Sequence, residues 1–272
     1  MSSHPQPAST TTGMFARGPR GFAGGMSSGL PNASEFDLPH PRIPVQVMLL
    51  MHQVLQVAFA ELRRQQGSLA HESEDAVTIP LTRILENDLR HRRQRGRDDA
   101  IPGFDDTVVE SIVHHAGTTN HDGTQLKKEP DILFKLRAPE GARVLHSDYA
   151  IFVECKPVDK KHAVDKRYCD DGLIRFVKGD YAWAMQDALM IGFTRHQRAI
   201  ATHLVPALEE KNRRKALGIP TFAQALKKVA GGKTVAGTER LQVSTHQRAF
   251  KWQWDKGPAC PIRVYHSWHE CS

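Results

Sequence analysis

Ala150-Ile151-Phe152-Val153-Glu154-Cys155-Lys156 is an apolar run that ends abruptly in an acid and a base. Upstream, a polar loop ends in Pro130-Asp131 and gives way to Ile132-Leu133-Phe134. Both apolar stretches read as strands, over Asp131 to Leu136 and Tyr149 to Cys155. The chain between Asp131 and Glu154 has the length of two strands and a turn, which is a hairpin. In a hairpin, Asp131 begins one strand and Glu154 ends the next, so both acids reach the same edge of a sheet. Lys156 stands two residues after Glu154, and the two-residue period of a strand puts both side chains on one face. Two converging carboxylates can hold a hard divalent cation such as Mg²⁺. Such an ion polarises a phosphodiester oxygen and acidifies the attacking water. An ammonium beside it can position that water or stabilise developing negative charge.

Outward from this pair, Val108 to His114 reads as a further strand. Val77, Leu81, Ile84, Leu85 and Leu89 recur at helical spacing, with Ser73 placed as an N-cap and acids in the first turn. Pro80 predicts a kink or a late start in that helix. An earlier helix is expected from Pro44 to near Gly67. Beyond Lys156, a helix is expected over Tyr181 to Asp187, a strand over Ala188 to Thr194, and helices over Ala199 to Ala216 and Phe222 to Val229. Two late strands, Leu241 to Ala249 and Ile262 to Trp268, complete the reading. Helix, three strands, helix and strand in that order make an α/β arrangement.

Pro130-Asp131 and Glu154-Cys155-Lys156 together resemble the two halves of the PD-(D/E)XK nuclease signature, each on a strand. The resemblance covers roughly residues 72 to 195. It implies a restriction-endonuclease-like core, with a mixed central sheet flanked by helices, carrying a helical N-terminal addition and a strand and helix C-terminal addition. It also implies Asp131 and Glu154 as ligands of Mg²⁺ or Mn²⁺, a backbone carbonyl ligand from Cys155, and Lys156 as the catalytic lysine. Family members often carry one more acid on the preceding helix. Glu74 is expected there, because its spacing to Val77, Leu81 and Leu85 puts it on the inward face. Glu72 is close behind, and Glu86 lies off that face.

Other residues are weighed as nucleic-acid contacts. Arg175 and Lys178 lie in Gly172 to Tyr181, and Gln186 on the expected helix. His246 and Arg248 share a face of a late strand, where satisfied histidines in a packed hairpin are the competing reading. Phe176, Tyr181 and Trp183 read as core. The run Arg90-His91-Arg92-Arg93-Gln94-Arg95-Gly96-Arg97 reads either as a phosphate grip or as a solvated helix end. Cys260, His266, His269 and Cys271 have zinc-ligand chemistry but no paired C-x-x-C spacing, and His114-His115 and His121 make no convincing metal site. Gly231-Gly232-Lys233-Thr234 lacks the earlier glycine of a phosphate-binding loop, since Lys227 stands in its place.

The 272 residues carry a formal net charge of +7, which favours polyanionic partners. No apolar run reaches the roughly 18 residues of a membrane span, and four scattered cysteines fit a reducing cytoplasm. Residues 1–38, rich in Ser, Gly, Pro and Thr, read as a flexible tail. Residues 39–70 read as a helical extension, 71–195 as the nuclease-like core, and 196–272 as an addition completing the same domain. The expectation is a metal-dependent nuclease acting on DNA, of the kind that serves as an effector in bacterial or phage defence. A regulatory protein partner or a homo-oligomer would control it. An RNase, or a catalytically silent subunit that binds nucleic acid or a partner, is the alternative.

Overall fold

The computed structural model describes residues 35–69, 72–231, 239–252 and 257–271. Helix α1 (Val45–Gln66) buries Met48, Met51, Val54, Leu55, Ala58, Phe59 and Leu62, a stripe at three- and four-residue spacing. It ends where Gly67 adopts φ +72°, a conformation that costs a glycine little. By length and composition α1 could also cross a membrane; here half of its most apolar stretch is buried inside the fold. Helix α2 (Glu74–Asn87) starts at Ser73, whose hydroxyl accepts the Ala76 N–H at 3.2 Å. It carries Pro80 within it rather than starting late.

Seven strands form one mixed sheet in the order β1-β2-β3-β4-β7-β6-β5. These are β1 (Val109–His114), β2 (Ile132–Leu136), β3 (Ala150–Val158), β4 (Asp187–Thr194), β5 (Lys227–Lys228), β6 (Gln242–His246) and β7 (Ile262–Glu270). β1, β2 and β3 pair antiparallel, whereas β4 runs parallel to both β3 and β7. Every residue of β3 and of β4 is buried, as parallel strands covered on both faces must be. On one face α1 sets Phe59 against Phe193 and stacks it on His269. On the other, a π-helical segment (Val164–Leu173) sets Tyr168 against His266 and Trp268. It continues into α3 (Ile174–Lys178). Gly192 makes this packing close, because a Cβ there would lie 2.6 Å from the Trp268 ring.

Several expected elements differ. The helix placed over Tyr181 to Asp187 lies earlier, as α3: Gly179 ends α3 in the left-handed region and Ala182 also has positive φ. The helix over Ala199 to Ala216 is divided into a π-helical turn (Ile200–Leu204), α4 (Val205–Glu209) and α5 (Lys211–Ala216). Glu210 leaves helical geometry at ψ 130° and caps α5 with its own carboxylate. Phe222 to Val229 is not a helix, because Lys227 and Lys228 pair with β6. Of the expected tail, residues 1–34 lie outside the described residues. Within 35–38 the chain already belongs to the fold: Phe36 is buried, and the Asp37 N–H donates to the Arg143 carbonyl at 2.8 Å.

Two histidine–serine networks sit in the core. His246 Nδ1 lies 2.8 Å from the Leu217 carbonyl, so that nitrogen carries the proton. Its Nε2 then accepts from the Ser244 hydroxyl at 2.6 Å. The same oxygen accepts from His266 Nε2 at 2.7 Å, and His266 Nδ1 accepts from the Tyr168 hydroxyl at 3.0 Å. On the α1 side the Ser267 hydroxyl bridges His52 and His269, each at 2.7 Å. Burial holds His52 and His246 down to about 4, and burial with the neighbouring His246 holds His266 at about 3.

These imidazoles are neutral when folded and protonate near pH 6.5 when unfolded. Their stabilisation is therefore complete above about pH 6.5 and declines as pH falls toward 4. Urea unfolding, read in Glu154→Gln to remove the opposing titration of that raised carboxyl, should show a loss of several kcal/mol between pH 7.5 and pH 4.5, at about 1.4 kcal/mol per unit of pKa shift. A stability profile flat over that range would contradict the assignment.

Candidate active site

The register Ile132↔Val153 sets Asp131, just before β2, across from Glu154 in the middle of β3. The Cys155 N–H donates to Asp131 Oδ2 at 2.6 Å, which pins that carboxylate against the strand. Glu154 is fully buried and Lys156 is 6% exposed. In register they sit beside Met190 and Gly192 of β4, on the face covered by Tyr168 and α3. The π-helical segment comes close to the lysine at Gly172, where a Cβ would lie 3.4 Å from Lys156 Cγ.

Lys156 Nζ is the hub. It lies 2.8 Å from Glu154 Oε1, 2.8 Å from Glu74 Oε1 and 3.6 Å from Asp131 Oδ2. Glu74 reaches it from the first residue of α2. Arg175 of α3 comes within 3.0 Å of Glu154 Oε1, and the Tyr181 hydroxyl donates to Glu154 Oε2. Glu154 Oε1 is held by these two charges without a well-aligned hydrogen bond.

Three carboxylates thus face two cations. Burial first, then the negative charge of Asp131, pushes the Glu154 carboxyl up to about 7. Burial also raises Glu74, against the pull of Lys156. Burial alone would discharge Lys156, yet Glu154, Asp131 and Glu74 outweigh it and keep the ammonium charged. Cys155 is fully buried, and that burial pushes its thiol far up, so it is no nucleophile. The chemistry of the set fits Mg²⁺ or Mn²⁺, since three converging carboxylates offer hard oxygen donors.

The other candidates separate. Glu72 offers its carbonyl to Arg195 at 2.6 Å, and Glu86 pairs with Arg90 while accepting the Ile112 N–H at 2.8 Å, so Glu74 alone of the three acids meets Lys156. Lys178 is exposed and lines a cleft of about 480 Å³ with Lys215, Gln247, Arg248 and Phe250, and with none of the carboxylates. Gln186 is on a loop, not a helix, and donates to the His40 carbonyl at 2.8 Å. His246 is enclosed in the network described above. Arg248 is 6% exposed, donates to the carbonyls of Cys260 and Trp183, and lies over the Phe250 and Trp252 rings. Gln186, His246 and Arg248 therefore serve the interior. In the basic run Arg90 and Arg92 are buried against Glu86 and Asp88, whereas Arg93 and Arg97 stay exposed and pair with Asp105 and Asp99, so the run is for the most part a solvated helix end tied up in ion pairs. His266 and His269 lie on opposite faces of β7 and do not converge for zinc.

Tyr181 has a second role beyond the core packing expected of it, since it is the hydroxyl partner of Glu154. His115 is a further neighbour, with Nε2 3.8 Å from Asp131 Oδ1. Neither follows from a period-two or helical pattern. Compared with family models, with curated proteins and with solved structures, the chain matches none.

Removing the hub should be costly. Lys156→Met leaves three carboxylates without their ammonium and should lower stability by about 3–5 kcal/mol. The urea midpoint of the metal-free protein at pH 7.5 reads this out, and a neutral or stabilising effect would contradict the charge balance.

Proposed function

We propose that this chain is a Mg²⁺- or Mn²⁺-dependent nuclease of the PD-(D/E)XK type that hydrolyses phosphodiester bonds in DNA. The observation that carries the reading is the convergence of Asp131, Glu154 and Glu74 on the Lys156 ammonium, where β2 begins beside the middle of β3. The order of α2, three antiparallel strands, a helical segment and a fourth strand parallel to the third supports a restriction-endonuclease-like core. The net charge of +7 supports a polyanionic substrate. Four free cysteines suit a cytoplasmic protein.

Asp131 and Glu154 would hold the metal, with Glu74 and the Cys155 carbonyl completing its shell. When bound, the ion supplies a polarised phosphoryl oxygen and a more acidic water. The side chains around it have separate tasks. Lys156 stays protonated amid the acids, so it acts as a donor: it orients the water and neutralises charge developing on the phosphoryl oxygens. It is not the base. Tyr181 holds one oxygen of Glu154, leaving the other toward Lys156 and Arg175. Arg175, with more than a third of its side chain exposed, can meet a substrate phosphate. With the Cys155 thiol buried and protonated, hydrolysis proceeds by direct attack of water rather than through a thiol-linked intermediate.

Labelled duplex DNA, single-stranded DNA and RNA, each incubated with Mg²⁺, Mn²⁺ or EDTA, test the reading. Cutting should require the metal and fall by about a hundredfold or more in Asp131→Asn, Glu154→Gln and Lys156→Ala. Arg175→Ala should weaken it less. Cutting that survives Glu154→Gln and Lys156→Ala would sink the assignment. Retained binding with no cutting by the wild type would favour a binding subunit.

A further inference from the structure

Consecutive residues of a strand normally put their side chains on opposite faces. His114 ends β1 and His115 follows it, yet their rings stack with centroids 3.8 Å apart. The backbone explains this. His115 has φ +49°, a region that non-glycine residues seldom enter, and the turn brings its ring back beside that of His114. Asp75, in the first turn of α2, faces the pair, with Oδ1 3.9 Å from His115 Nε2. One ligand atom from each of Asp75, His114 and His115 falls within 4.8 Å of the others.

A second contact fixes which nitrogen of His114 is available. The Thr78 hydroxyl donates to the Glu74 carbonyl at 2.9 Å, so its proton is committed. At 3.4 Å it can therefore only accept from His114 Nε2–H. That tautomer leaves the Nδ1 lone pair free for a ligand, the outer support that metal-binding histidines commonly have. His115 and Asp75 are 38% and 64% exposed, so an ion has a route in.

We propose that Asp75, His114 and His115 form a cation site selective for borderline transition ions of the Zn²⁺, Co²⁺ and Ni²⁺ class. Two imidazoles and one carboxylate suit these ions, whereas Mg²⁺ prefers oxygen throughout. The site is separate from the acids around Lys156 but adjoins them, since His115 Nε2 lies 3.8 Å from Asp131 Oδ1. It stands whether or not the chain cuts nucleic acid.

The test is Co²⁺ titration of the full chain in a Glu154→Gln background, followed by visible absorption and calorimetry. That background silences the neighbouring carboxylate centre. One equivalent should bind with the absorption of an imidazole-ligated ion. Affinity should fall at least tenfold in His114→Ala/His115→Ala and in Asp75→Asn, and Mg²⁺ in large excess should not displace the ion. Far-UV circular dichroism checks folding, and the exposed Asp75→Asn change carries the test if the double variant unfolds. No bound ion in the Glu154→Gln protein, or affinity within twofold of it in Asp75→Asn, would overturn the site.

Discussion

The structure depends on how one ammonium is neutralised. Lys156 is nearly buried, and an isolated charge in that position is costly enough that it would ordinarily give up its proton. It keeps it because Glu154 and Glu74 lie at 2.8 Å and Asp131 at 3.6 Å. Those acids come from three elements: the middle of β3, the first residue of α2 and the residue before β2. Satisfying one charge therefore brings a helix end and two strands to one point. The reverse also holds, since burial first and then repulsion from Asp131 raise Glu154 to about 7 even with Lys156 and Arg175 beside it. That repulsion, and the convergence of three carboxylates, is what supports the proposal of a cation site here over a purely structural ion pair.

The sheet supports this arrangement. β4 and β7 run parallel beside β3 and are covered on both faces, so the centre rests on a fully packed layer. Gly192 and Gly172 let Trp268 and the π-helical segment approach closely on the lysine side. Neutral histidine–serine chains satisfy polar groups on both faces of β7. An unpaired polar group there would cost about 1–3 kcal/mol.

Much of the centre was legible in the sequence, for definite reasons. A hairpin has a fixed reach and a strand a period of two, so spacing brings Asp131, Glu154 and Lys156 together, although β3 runs on to Val158 and Glu154 sits in its middle rather than at its end. The family resemblance implies an acid on the preceding helix, and helical spacing to Val77, Leu81 and Leu85 selects Glu74; the edges of β1, β2, β3 and β4 lie within a few residues of the expected ones. What was not legible depends on contacts distant in the chain. Whether His246 and Arg248 face water or the interior is decided by the π-helical segment, Leu217 and Cys260, none of which is visible from β6. Gln186 was misplaced because left-handed residues at Gly179 and Ala182 stop the helix that its surroundings suggest. The stacking of His114 on His115 is not legible either, because alternation sends strand neighbours to opposite faces and only the positive φ of His115 reverses that. The sequence leaves the arginines near residue 92 between a phosphate grip and a solvated helix end, because two of the acids that answer them, Asp99 and Asp105, belong to the following loop.

The central claim is that the acids around Lys156 form a cation site. The most direct measurement is the melting temperature of the wild type and of Glu154→Gln, each with and without Mg²⁺. An ion bound only by the folded protein stabilises it by mass action. The account predicts that Mg²⁺ raises the melting temperature of the wild type by several degrees and leaves Glu154→Gln nearly unmoved. Equal shifts in the two proteins, or none in the wild type, would contradict it.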